Sequence, residues 1–290
     1  MNPEIYYAEG QPARPLVIFV HGMGMDAAMW AEPERARILG GKYPLSALLG
    51  EAELRTSFHD LKDSGFPVLA WSQKRPAGPV SAALKELRDI VRTYEQKSDA
   101  GIILVCHSRG GLIARLFLHD YRIRVRGVIT IGTPHQGSSM SKLATYVSPI
   151  AAALKSIMDR NDREMRSAAH RVFAFLSSYE MKEMVPGSDF LKSISYERPT
   201  GTLIISVGGT DPALVKFDKS SLPSILSGIM PEKMLPEEMR EGKGDGFVSA
   251  ESAVCPGGDE HRDFHAHHAG LIFNRDVREY IMKVIISLTG

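Results

Sequence analysis

The sequence predicts an α/β architecture: a mostly parallel central sheet with helices on both faces. Three observations predict it. Short runs of apolar and β-branched residues recur along the chain, amphipathic helical patterns separate them, and one such run stops at a serine with a helical pattern starting directly behind it. Strands that are apolar on both faces and alternate with helices need cover on both sides, which parallel sheets receive. With 290 residues and 43% hydrophobic content, the chain can bury a substantial core, and α/β folds of this size are often one domain.

The first run, LVIFV (16–20), leads into His-Gly at HGMG (21–24). FPVLAW (66–71), GIILVC (101–106), VRGVITIG (125–132) and TLIISVG (202–208) follow as strands. Behind the third, Leu112, Ile113, Leu116 and Phe117 fall at helical spacing, and Val277, Ile281, Val284, Ile285 and Leu288 predict a final helix. Two stretches break the rhythm. Residues 138–200 read as helices without a strand, from Leu143, Tyr146, Val147, Ile150, Leu154, Ile157 and Met158, then Met165, Ala169, Val172, Phe173 and Leu176; residues 212–243 form a second insertion rich in Pro, Met and Leu. Ordinary core and a cap over a substrate pocket both suit such apolar faces.

Lys and Arg number 35 against 34 Asp and Glu, and no run of like charge stands out. That excludes the electrostatic footprint of a nucleic-acid or anionic-membrane binder, and small molecules are the expected partners. No basic stretch followed by an apolar one opens the sequence, and nowhere do about 18 apolar residues stand together, so a cytoplasmic protein without a membrane span is expected. Cys106 and Cys255 lie far apart in apolar contexts and read as two buried thiols.

Chemistry enters at VCHSRGG (105–111). A strand that turns abruptly into a helix forces the turn residue into strain and brings the two backbones together, so residues two before and two after must be small. Cys106 and Gly110 fill these places, with Gly111 beyond. The turn lifts the Ser108 hydroxyl above the sheet edge, where N–H groups of the helix start can bind a developing negative charge. Such a serine needs a second N–H from the loop after an earlier strand, and HGMG supplies it; the expected oxyanion donors are the N–H groups of Met23 and Arg109.

With these residues the chain resembles the α/β-hydrolase superfamily, and within it bacterial lipases and esterases and related acyl hydrolases of the PGAP1-like and LCAT-like groups. The matching residues are HGMG (21–24), CHSRGG (106–111), GTPHQGS (132–138), VPGSDFL (185–191), GDGFVSAES (244–252) and HAGLIFNRDV (268–277), in the family's order across most of the chain. Cys106 stands where the first glycine of the motif is usual. The resemblance implies an α/β-hydrolase fold and carboxylic ester hydrolysis through an acyl-serine, without a cofactor.

Ser108 then needs a histidine to take its proton and a carboxylate to orient that histidine, in the chain order Ser, Asp or Glu, His. Asp245 in GDGFVS is favoured over Asp211, because flanking glycines let its loop turn tightly, whereas Asp211 before Pro212 is a good turn residue. The resemblance favours His268 over His267, since the family's histidine usually stands before such a segment as Ala-Gly-Leu-Ile and the final helix. His261, His265, His267, His268 and Asp263 are metal-ligand types, yet their spacing is irregular and no metal is expected. His107 reads as packing; His135 and Gln136 read as pocket edge or surface loop. An acyltransferase or amidase would use the same residues, and a silent hydrolase fold serving as a binding module would lack the complete Ser, Asp and His set.

Overall fold

The structure, a computed structural model, describes residues 4–38, 40–42, 45, 54–120, 123–140, 179–194, 197–213, 216, 217, 220, 221 and 235–289. Its main sheet has seven strands: β1 (Ile5–Ala8), β2 (Leu16–Val20), β3 (Val68–Trp71), β4 (Ile102–His107), β5 (Val125–Ile131), β6 (Leu203–Gly209) and β7 (Glu260–Phe264). They lie in the order β1-β3-β2-β4-β5-β6-β7, with β1 antiparallel to β3 and every other pair parallel. The five expected strands form its interior. β1 and β7, which the sequence reading did not anticipate, are its edges.

Alternation along each inner strand explains why both faces are apolar. Val17, Phe19, Ile103, Val105, Ile129 and Ile131 point into one core with Trp30, Phe58 and the final helix α7 (Arg275–Ser287). Leu16, Ile18, Val20, Ile102, Leu104 and Cys106 point into the other. There they meet α3 (Val80–Tyr94), through Val80, Leu84, Leu87 and Val91 at helical spacing, and α4 (Arg109–Asp120), through Ile113 and Phe117. The short helices α1 (Ala28–Ala31) and α2 (Ser57–Asp63) lie ahead of α3 in the chain. A fully buried Leu or Phe side chain contributes about 1.5–3 kcal/mol relative to exposure, so these two layers fix the sheet on which the loops stand.

A third apolar cluster lies beyond the carboxyl ends of the strands: Met23, Leu112, Met140, Met181, Met184, Leu191, Leu235 and Met239, with Phe247 packed against it. It draws on α5 (Tyr179–Glu183) and α6 (Asp189–Ser193). The helical patterns expected over 143–158 and 165–176 lie outside the described residues, as do 222–234 of the second insertion. Among the described residues no helix is long and apolar enough to cross a membrane. Cys106 and Cys255 are buried free thiols.

Candidate active site

Ser108 sits between β4 and α4 with φ +53°, the single described non-glycine residue in the left-handed region. Such a conformation costs about 1–3 kcal/mol and persists only where its surroundings fix it. Here they do: Ser108 N donates to Ile131 O (2.8 Å), while Ser108 O accepts from Gly111 N (3.0 Å) and Thr133 Oγ1 (2.8 Å). A side chain at Gly110 would place its Cβ 2.6 Å from Val20 O, which is why that position must be small. Cys106 is fully buried beneath the turn, and burial pushes its thiol well above the ordinary range.

Asp245 and His268 come together although 23 residues separate them: His268 Nδ1 lies 2.7 Å from Asp245 Oδ2, and His268 N donates to Asp245 O (2.9 Å). Asp245 is 0% exposed and His268 5%. The other carboxylate oxygen, Oδ1, accepts from Phe247 N (2.9 Å) and Val248 N (2.7 Å), so the loop GDGFV folds around its own carboxylate. Gly132, at φ +56°, lies beneath this pair; a Cβ there would stand 3.0 Å from both Asp245 Oδ2 and His268 Nδ1. The Phe247 ring packs 5.3 Å from that of His268. His107, the residue before the serine, does more than pack: its Nε2–H donates to His268 O (3.0 Å), tying the strand that ends at the serine to the histidine loop.

HGMG passes directly by the serine, since a Cβ on Gly22 would lie 2.9 Å from Ser108 Cβ. His21 anchors this loop. Its Nδ1–H donates to Gly22 O (2.8 Å) and its Nε2 accepts from Gln73 N (3.0 Å), an arrangement that requires the neutral ring. Burial strips its hydration and lowers it to about 4, and His107 is pushed down in the same direction by the same cause. Met23, next in the loop, is buried, as is Arg109 at the start of α4.

The alternatives have other partners. Asp211 Oδ1 accepts from Ala213 N (2.9 Å), closing a local turn, and His267 Nδ1 accepts from Gly270 N (3.1 Å). His265 faces Glu241 at 3.9 Å on the surface. His261 bridges Ser206 Oγ (2.8 Å) and Asp263 Oδ1 (3.0 Å), a second Ser-His-Asp line. Its serine lies within β6 at 1% exposure and ties β6 to β7. His135 is buried and hydrogen-bonded to Thr130 Oγ1 (3.0 Å), which rules out the surface-loop reading, while Gln136 is exposed. Among the described residues no group of three or more His, Cys, Asp or Glu could hold a metal ion. Gln73 and Gly132 escaped the sequence reading as site residues. Gly132 had a signal, its place at the end of an apolar run; Gln73 had none.

Among solved structures, the mature lipase of Bacillus licheniformis superposes with a TM-score of 0.62 at 17% identity, covering 98% of this chain and 99% of that one. A highly thermostable carboxyl esterase of Bacillus coagulans gives 0.51 at 14% identity, with 98% and 92% covered. A malate-bound esterase of Thermogutta terrifontis gives 0.50 at 16%, with 99% and 95% covered. At such identities the likeness is one of fold. No curated protein matches the sequence. Residues 17–270, from β2 to the loop that carries His268, match the α/β hydrolase family, and the chain is a member of that family.

Proposed function

We propose that the protein is a carboxylic ester hydrolase working through an acyl-serine, with Ser108 as nucleophile, His268 as base and Asp245 as the acid that orients it. The observation that carries this reading is the buried 2.7 Å Asp245–His268 pair, tied through His107 to a serine held at φ +53° on a strand-to-helix turn. With Nδ1–H donated to Asp245, the His268 Nε2 lone pair takes the Ser108 proton as Oγ attacks the ester carbonyl carbon. The N–H groups of Met23 and Arg109 receive the oxyanion. Collapse expels the alcohol, which takes the proton from His268, and water attacks the acyl-serine by the same route in reverse. The lipase and the two esterases that share the fold lend ester chemistry support.

The methionine-rich cluster that includes Met23 and touches Phe247 supports an apolar acyl site, because unbranched thioethers adapt to irregular chains at little strain. The reading places residues 138–200 and 212–243 as a cap on a single domain, with small-molecule esters as substrates. The test is a p-nitrophenol burst from p-nitrophenyl butyrate, abolished by a fluorophosphonate. Ser108→Ala should remove both burst and labelling and lower kcat by about 10⁴–10⁶-fold. Turnover within tenfold of the parent, or labelling at another residue, overturns the reading.

A further inference from the structure

The residue behind the serine contributes more than a backbone N–H. Arg109 is fully buried, and its guanidinium donates to three acceptors in the segment after β3: Gly78 O, Gln73 Oε1 (2.8 Å) and Pro76 O (3.2 Å). That segment in turn grips the glycine loop after β2. Gln73 N donates to His21 Nε2 (3.0 Å), Gln73 Nε2 donates to His21 O (3.1 Å), and Gly24 N donates to Pro76 O (2.9 Å). His21 and Gly24 flank Gly22 and Met23, so the loop is fastened on both sides of Met23 to the segment that Arg109 holds.

We propose that the Arg109 side chain is a positioning residue for the oxyanion hole, with Gln73 as its relay; this rests on the assignment of Ser108 as nucleophile and Met23 N–H as oxyanion donor. An oxyanion donor acts only when it stands about 2.7–3.1 Å from where the charge develops, so the loop tolerates displacements of only a few tenths of an ångström. A planar guanidinium offers five N–H groups in a fixed fork and can hold separate acceptors at set angles, which an ammonium on a flexible stem cannot. Because the N–H of Arg109 is itself the second donor, one rigid residue at the start of α4 sets both donors in a common frame. This answers why an arginine follows the serine: its main chain faces the reaction and its side chain fixes the loop opposite.

The test uses Gln73→Met and Arg109→Lys in the full chain. It measures kcat and KM for p-nitrophenyl butyrate per active site titrated with a fluorophosphonate, and Ki for a trifluoromethyl ketone, whose serine adduct carries a tetrahedral oxyanion. Outright loss of one donor costs about 10²–10³-fold in kcat, so a misplaced donor should cost about ten- to a hundredfold, with Ki rising in proportion and KM within about threefold. A role in stability alone would lower the melting temperature and the titrated fraction while leaving kcat per site and Ki unchanged, and that result overturns the proposal. Gln73→Met removes two side-chain bonds at nearly constant volume and decides the matter alone if Arg109→Lys does not fold. Ser108→Ala separates the layers: retained turnover there sinks the nucleophile assignment itself, whereas a dead Ser108→Ala beside unimpaired Gln73→Met sinks only the positioning role.

Discussion

Gly132→Ala is the substitution with the sharpest expected consequence, because two separate effects act at one position. Gly132 has φ +56°, and an alanine there costs about 1–2 kcal/mol of stability from left-handed strain alone. The new Cβ would also stand 3.0 Å from both Asp245 Oδ2 and His268 Nδ1, where ordinary contact begins at 3.4 Å, so this 2.7 Å pair must shift by a few tenths of an ångström. A 1 Å misplacement costs about 10²-fold in rate, so a displacement of about half that predicts a loss of about tenfold in kcat. The ceiling is about 10⁴-fold, the cost of losing the orienting carboxylate altogether. Gly257→Ala is the control: φ is +72° there and nothing lies within 4 Å, so it pays the strain without touching the site. Thermal unfolding should move both variants down by a few degrees, at about 2–4 °C per kcal/mol. Hydrolysis of p-nitrophenyl butyrate should fall in Gly132→Ala alone. If the two variants lose equal stability and Gly132→Ala keeps turnover within twofold of the parent, the Asp245–His268 contact is not what limits the rate.

Asp245→Asn and His268→Ala should each lower kcat by about 10³-fold or more, whereas Asp211→Asn and His267→Ala should stay within tenfold; a dead Asp211→Asn would move the acid to the end of β6. Each methylene of acyl chain buried against the methionine cluster contributes about 0.8 kcal/mol, or about fourfold in kcat/KM, so p-nitrophenyl esters should rise to an optimum between butyrate and octanoate and then decline. A steady rise through palmitate would contradict a closed acyl site. His21 makes stability depend on pH: its folded value is about 4 against about 6.5 in the unfolded chain, so the unfolded state takes up the proton first. Its contribution is therefore complete above about pH 6.5 and is lost as pH falls toward 4, amounting to about 2 kcal/mol between pH 7 and 5. His107 and His135 act in the same direction. Urea unfolding midpoints that stay level between pH 7 and 5 would show that these rings are not held neutral.

What could be read in advance follows from what leaves a local trace. β2 and β4 are buried on both faces and carry the uninterrupted apolar runs LVIFV and IILVC. β7 is EHRDF, polar in four of its five residues because the sheet ends there, and so reads as the charged start of a histidine tail. Ser108 was legible because close approach of β4 to α4 demands small residues at fixed offsets. The choice between Asp211 and Asp245 is set by where a chain excursion of more than thirty residues returns, and only weak turn chemistry speaks to that. Gln73 left no trace: its contacts with His21 span 52 residues, and a glutamine after a strand has no local meaning. The burial of His135 leaves no local trace, because a loop position fits pocket edge and surface equally well, whereas the chain turns inward and meets the hydroxyl of Thr130.

The outermost position of β7 has a consequence for how the enzyme fails. His268 follows a five-residue strand paired only with β6, while Ser108 rises from β4 in the middle of the sheet. Local opening starts where few neighbours share the load, so the segment bearing the proposed base can detach while the two core layers stay intact. Inactivation on heating would then run ahead of the loss of helical signal and would be reversible on cooling, a reversible resting form set by one marginal strand.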